Sequence, residues 1–342
     1  MKQLFFSKAI VSVGAVALAM FAGSSQAMTS IAESWHNLGS LNQRPTTPSG
    51  NTGANHSNAT AEICVFCHTP HGGDNSAAVP LWNRKLNTPT AYKRYGALGT
   101  STFDAEEDAI GSVTIACLSC HDGGQAIDSV INAPGSGGFI VKEDYAYGSV
   151  PRLGGGDMSG GDVDTATGRL KTPAQGIVQN LETDLSNDHP VSMQYAGGGI
   201  SSGTGGGWSG TSRDPDFTGS GLKQHPGQTK GSGASAVSVT VTPMTETALN
   251  PQAQHSVYFF LDRSDSLKPG ARDREDIIFY TRNYKGVEQP FVECGSCHDP
   301  HNVDNPTFLR TSNGIPSGAL QTEFPTAADD AASGLCLTCH IK

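Results

Sequence analysis

A mostly irregular fold, with short helices and a few short β-strands, is what this sequence predicts, and three observations predict it. Of 342 residues only 36% are hydrophobic, while 42 are glycine and 19 proline. Such a chain would struggle to bury enough apolar side-chain surface to offset its conformational entropy. Stretches with helical or strand periodicity are few and brief. The sequence Cys-x-x-Cys-His occurs four times, at Cys64–His68, Cys117–His121, Cys294–His298 and Cys336–His340, and consumes all eight cysteines.

In that motif two thiols add across the vinyl groups of haem, and the adjoining histidine becomes an axial ligand of its iron. Two intervening residues set the sulfurs one short turn apart and leave the histidine facing the ring centre. Disulfides and structural zinc also use paired cysteines, but neither explains a histidine after every pair. The cofactors implied are four covalently bound haem c groups. Cys64, Cys67, Cys117, Cys120, Cys294, Cys297, Cys336 and Cys339 tether them, and His68, His121, His298 and His340 are the proximal iron ligands. The expected fold class is a multihaem cytochrome c fold whose core is built around the haems, each a large flat apolar body held at three points.

Taken in order, the chain opens on a secretory signal expected over residues 1–27. Lys2 and Lys8 frame a basic start, Ala9–Phe21 is an apolar stretch of thirteen residues, and Ser25-Gln26-Ala27 resembles a cleavage site. That stretch is too short to span a bilayer, so no transmembrane segment is expected in a mature chain of residues 28–342. Removing residues 1–27 takes away two lysines and no acid, moving the formal charge from −10 to −12. Nucleic acid is excluded as a partner, since it needs a concentrated basic face.

The motifs fall into two similar halves, about 30–150 and 180–342. CVFCHTPH and CLSCH, 53 residues apart, lie in the first half; CGSCHDPH and CLTCH, 42 apart, lie in the second. A duplicated two-haem unit is the economical account. Between them Gly197–Gly233 has thirteen glycines in 37 residues, which predicts loops or linkers. Asp157–Asp164 carries three aspartates among glycines without meeting a calcium-loop signature. Helices are expected at Thr102–Ala109 and Ala327–Cys336, strands at Ala236–Thr242, His255–Leu261 and Ile277–Tyr280.

Seven histidines remain for the opposite faces of four irons: His36, His56, His71, His189, His225, His255 and His301. His71 and His301 each stand three residues after a proximal histidine. That spacing cannot place both on one ring, so each must serve a different iron. His36 and His189 complete two distal ligands per half, the latter held by the following Pro190. His56 and His225 sit in polar, Gly/Ser/Asn-rich surroundings, His255 is a reserve ligand, and Met193 is the nearest methionine. Bis-histidine ligation at all four irons is the expectation. His36 would be the ninth residue of the mature chain, on a terminal segment that can fold back on its own chain or reach a neighbouring copy and ligate a haem there. Used head to tail, that contact would build an open filament.

WHNLGS, CVFCHTPH, PLW at Pro80–Trp82, CLSCHDG, LETDLSNDHPVS, VECGSCHDPHN, FLR at Phe308–Arg310 and LCLTCH occur in this order. That succession resembles a family of exported tetrahaem cytochromes that includes the OmcE type, whose members polymerise into extracellular cytochrome nanowires. The resemblance covers most of Trp35–Ser192 and Val292–His340 and leaves a Gly-rich insertion at about 197–287. It implies a continuous stack of bis-histidine haems, distal ligands at His36, His71, His189 and His301, and filament formation. The expected function is electron transport without enzymatic activity. Expected partners are copies of the chain, other multihaem cytochromes and extracellular electron acceptors, with an extracellular or outer-surface location, or alternatively the periplasm. A monomeric shuttle and a multihaem reductase with an open haem site are the alternatives.

Overall fold

The computed structural model describes residues 31–42, 53–74, 77, 79–101, 105–135, 145–188, 190–198, 276–284, 287–302 and 306–310. It also describes the shorter runs 201–202, 208–209, 214, 216–217, 222–224, 229–230, 237–238, 258–261, 335 and 339–340. Among these residues α1 (Ser112–His121) and α2 (Cys294–Cys297) are α-helices that carry cysteine motifs, and Leu335 and Cys339 are helical as well. The strands are β1 (His56–Ser57), β2 (Met158–Ser159), β3 (Met193–Gln194), β4 (Ser201–Ser202), β5 (Trp208–Ser209) and β6 (Leu222–Gln224). They continue with β7 (Thr229–Lys230), β8 (Val237–Ser238), β9 (Tyr258–Leu261), β10 (Ile277–Tyr284) and β11 (Val287–Val292). All pair antiparallel: β1 with β2, β4 with β5, β7 with β8, and a five-stranded sheet in the order β3-β11-β10-β9-β6.

Three small apolar clusters, rather than one core, hold the motifs. Around the first motif Val65 and Phe66 pack with Leu38, Ile127, Val130, Leu153 and Met158. α1 buries Ile115, Ala116 and Leu118 against Trp82, Leu86, Tyr92 and Leu185. The sheet buries Leu261, Ile277 and Phe279 with Tyr195, and Leu335 and Cys339 lean on that cluster. Each such aliphatic or aromatic side chain contributes about 1.5–3 kcal/mol on burial. The residue that caps α1, Gly111, has no room for a β-carbon, which would run into the side chains of Arg282 and Glu293.

The Gly-rich stretch at about 197–287 supplies β6, β9 and β10, three strands of the main sheet, so it is not loop alone. Its β-branched and aromatic segments provide the apolar face that the glycines lack. The strand expected at Ile277–Tyr280 extends to Tyr284, while Tyr258–Leu261 and Val237–Ser238 are the described strand parts of the other two. A helix at Thr102–Ala109 is corrected: its described residues, 105–109, are not helical. Asp108 N–H donates to Ser192 O, Gln194 N–H donates to Glu106 O, and Glu107 bridges Met193, so pairing to β3 outweighs local helix propensity. Residues 1–27, and all of Ala327–Cys336 except Leu335, lie outside the described residues. No helix among the described residues is long and apolar enough to cross a membrane.

Candidate functional site

The first and third motifs are framed alike. Cys64–Phe66 is a 3-10 turn and α2 a single helical turn; His68 N–H donates to Cys64 O at 2.7 Å and His298 N–H to Cys294 O at 3.0 Å. A returning segment closes each turn. Thr69 N–H donates to Leu81 O and Asn83 N–H to Cys67 O; Asp299 N–H donates to Phe308 O and Arg310 N–H to Cys297 O, all at 2.8 Å. Side chains repeat the pattern, since Asn83 Nδ2 donates to Val65 O at 2.6 Å and Arg310 Nε to Gly295 O at 2.9 Å. In both frames the acceptor is the residue after the first cysteine. Leu81 and Phe308 also share a left-handed backbone, with φ of 56° and 61°. For such residues this costs of order 1–3 kcal/mol and persists only where surrounding bonds over-determine it.

That returning segment also orients the ring. His68 Nδ1 lies 2.8 Å from Pro80 O and His298 Nδ1 2.7 Å from Thr307 O, while His121 Nδ1 lies 2.8 Å from Gln179 O. A carbonyl only accepts, so each Nδ1 carries a hydrogen, and in the neutral ring the lone pair is then on Nε2. This is the tautomer in which imidazole binds a metal, with the outer hydrogen bond that fixes the ring and raises its basicity.

Two of these rings face a second imidazole. The His36 and His121 centroids are 6.2 Å apart with planes at 62°, and those of His68 and His301 are 6.2 Å apart at 22°. With metal–nitrogen bonds of about 2 Å on either side and each nitrogen roughly 1.1 Å from its ring centre, imidazoles on opposite faces of one metal stand about 6 Å apart. In tautomer and in span, the residues fit a haem iron. Burial, reinforced by His121, His301 and His298, pushes the His36 pKa down to about 3, and burial also lowers that of His121. Both rings are therefore held neutral, the form that ligates. Asp299 Oδ1 lies 3.4 Å from His301 Nδ1, and its hydrogen bond to His301 leads the causes that push the Asp299 carboxyl down to about 2.

His36 stands beside His121 of its own chain. Its segment is packed down: Ser57 N–H donates to Leu38 O at 2.8 Å, Ser40 N–H to Thr60 O at 2.7 Å, and the His36 ring stacks on Phe308 at 4.3 Å. His71 is exposed, its carbonyl accepting from Thr69 Oγ1 and Asn132 Nδ2. His340 packs on Phe217 at 4.2 Å, and Tyr195 Oη donates to Cys339 O at 3.4 Å. His56 bonds Ala54 O through Nδ1, in β1. His189, His225, His255 and Cys336 lie outside the described residues.

Cysteines of different motifs adjoin one another. Cys117 and Cys294 hydrogen-bond through their side chains, which together with burial pushes the Cys117 thiol up; burial foremost pushes Cys67 up to about 12, with Cys120 adding to it. Among the described residues no disulfide joins these cysteines. Nor do three or more His, Cys, Asp or Glu side chains gather there to hold a bare metal ion; a haem iron asks for only two. Asp162 is buried against Asn55, and Asp164 caps the turn at Ala166 and Thr167.

Several residues that build the site carry no motif. Arg84 is fully buried between the first two motifs, and its five hydrogen bonds go to the Ser119 hydroxyl and the carbonyls of Ser119, Ala126, Ile127 and Ser129. Asp122, next to His121, accepts from Tyr92 at 2.8 Å and Tyr147 at 2.7 Å, which raises both phenols on top of their burial. Arg282 and Glu293 form a buried ion pair in which Glu293 also accepts from Thr114 Oγ1 and Ser192 Oγ. The available signal was the recurrence of an Asn- or Arg-bearing segment after each Cys-x-x-Cys-His-x-Pro-His. The chain matches no family model and no curated protein sequence.

Proposed function

We propose that this chain is a tetrahaem c-type cytochrome that carries electrons through bis-histidine haems and performs no enzymatic reaction. One observation carries the reading: at His68 and His121 a carbonyl-bound Nδ1 coincides with a second imidazole at 6.2 Å. When bound, haem iron supplies one-electron exchange, its potential tuned by ligands, burial and nearby charge. The chain's own groups do the rest. The cysteine pairs tether, the carbonyls of Pro80, Gln179 and Thr307 aim the proximal rings, and Phe66, Ile115 and Leu118 exclude water. Two imidazoles on one iron leave no position for a substrate, which favours a conduit over a reductase.

Export and assembly into an extracellular conductive filament belong to the same proposal, with other multihaem cytochromes and external acceptors as partners. They rest on the signal-like residues 1–27 and on the family resemblance; a monomeric shuttle is the alternative. Intact mass under denaturing conditions should exceed the mature polypeptide by four haem masses, and native material should elute large and show filaments in negative stain. A load below four, or free thiols after maturation, overturns the tetrahaem count, and no covalent haem at all overturns the cytochrome assignment; a monomer with four haems overturns only the filament.

A further inference from the structure

Phe308 belongs to the frame of the third motif, yet its ring lies on the imidazole that faces the proximal histidine of the second. Resting on the bis-histidine reading above, we propose that Phe308 is a positioning residue for His36. Its flat ring sets how far the His36 imidazole is turned about the iron–nitrogen bond, opposite His121. It thereby sets the angle between the two axial planes at that iron.

Three observations lead there. The Phe308 and His36 rings are stacked, 4.3 Å between centroids and 11° from parallel, so turning either ring drives its edge into the other. The rings of His68, His121 and His298 are each held by a backbone carbonyl at Nδ1. Among the described residues no hydrogen bond reaches the His36 ring; the bond from His36 to Ser34 Oγ, at 3.1 Å, comes from its main-chain N–H. Phe308 is itself firmly mounted. Its carbonyl accepts from Asp299 N–H, and Arg310 N–H donates to Cys297 O, both at 2.8 Å. Between these bonds Thr307 and Phe308 keep a left-handed backbone, with φ of 53° and 61°, which persists only where its surroundings over-determine it.

The frame by itself does not need an aromatic side chain. The corresponding residue of the first frame is Leu81, with the same left-handed backbone and an aliphatic side chain 52% exposed. What Phe308 adds over leucine is a flat face against His36. One dipeptide then serves two irons: the Thr307 carbonyl, 2.7 Å from His298 Nδ1, aims one ring, and the Phe308 side chain aims another. The planes of His36 and His121 are crossed at 62°, while those of His68 and His301 are near parallel at 22°. Each imidazole raises the iron d orbital perpendicular to its own plane. Near-parallel rings raise the same orbital and split the pair, giving a rhombic low-spin resonance. Crossed rings raise both and leave them close in energy, giving a strongly shifted low-field resonance.

Electron paramagnetic resonance of the haem-loaded, oxidised protein reads this difference. His36→Ala should abolish the low-field signal, which assigns it. Phe308→Leu puts in a side chain that the same backbone carries in the first frame. It should keep four low-spin haems but shift or broaden the low-field signal, leaving the rhombic signal of the His68 pair unchanged. Phe308→Tyr, which keeps the flat ring, should retain the parent spectrum. An unchanged low-field signal in Phe308→Leu overturns the proposal, as do equal shifts in Phe308→Leu and Phe308→Tyr. Loss of haem from Phe308→Leu overturns it too, since the ring then acts in packing rather than in orientation. Failure of the parent reading looks different: the unsubstituted protein would lack the low-field signal, or His36→Ala would keep it.

Discussion

Replacing Glu293 by alanine should destabilise the holoprotein by about 4 kcal/mol, within the 3–5 kcal/mol typical of stranding one half of a buried ion pair. Glu293 and Arg282 side chains are 2% and 1% exposed, and the carboxylate also accepts from Thr114 Oγ1 at 2.5 Å and Ser192 Oγ at 3.1 Å. Without it Arg282 loses its buried carboxylate partner, while its contacts to the Ala109 carbonyl at 2.7 Å, the Ser192 hydroxyl at 3.4 Å, the Asp108 carboxylate at 3.8 Å and the face of Phe291 at 4.6 Å remain. The orphaned hydroxyls add about 1 kcal/mol at the upper end of that range. Glu293→Gln, which keeps the shape and one acceptor, should cost about half as much. Exchanging both partners, Arg282→Met with Glu293→Leu, should recover most of the loss, because an apolar pair of similar volume needs no desolvation of charge. Guanidinium unfolding followed by circular dichroism and haem absorbance gives the four corners of the cycle. The reasoning is refuted if Glu293→Ala stays within about 1 kcal/mol of the parent, or if the double variant is less stable than either single one.

His36→Ala should convert one low-spin iron to high spin in monomeric preparations as well as in assembled ones, since the ring sits beside His121 of its own chain. A spin change confined to assembled protein would contradict the intrachain pairing. The Asp184 carboxyl is depressed to about 2, chiefly by the Ser186 hydroxyl and then by Lys93. Its stabilisation should be complete above about pH 4 and vanish as pH falls through about 2, so Asp184→Asn should flatten that acidic limb of the melting-temperature profile.

The local frame of each motif was legible because two cysteines and a histidine fall within five consecutive residues, so one short turn brings them together. The likeness of the first and third motifs was legible too, from the repeated Cys-x-x-Cys-His-x-Pro-His. Their partners were not, because the meeting of His68 with His301 depends on contacts distant in sequence. Thr114, on α1, supplies two: its hydroxyl donates to Glu293 and accepts from Cys294 N–H. α1 itself went unread. Val113-Thr114-Ile115 is a β-branched run with weak helix propensity, and the alanine- and acid-bearing segment before it looked the better helix until its hydrogen bonds went to β3. Arg84 belongs to no motif, and the carbonyls of the 119–129 turn that enclose it are distant in sequence.

The three proximal rings acquire their carbonyl partners at very different points in synthesis. His68 finds Pro80 twelve residues on and His298 finds Thr307 nine residues on, but His121 must wait for Gln179, 58 residues later. The imidazole opposite His68 belongs to the far end of the chain, at His301. Long closures of this kind form late, after the local turns have set. On the proposed ligation, the earliest site to be tethered is among the last to be enclosed. A chain stalled before residue 301 is thus not a shorter conductor but a different kind of protein, one whose first site is open to small ligands.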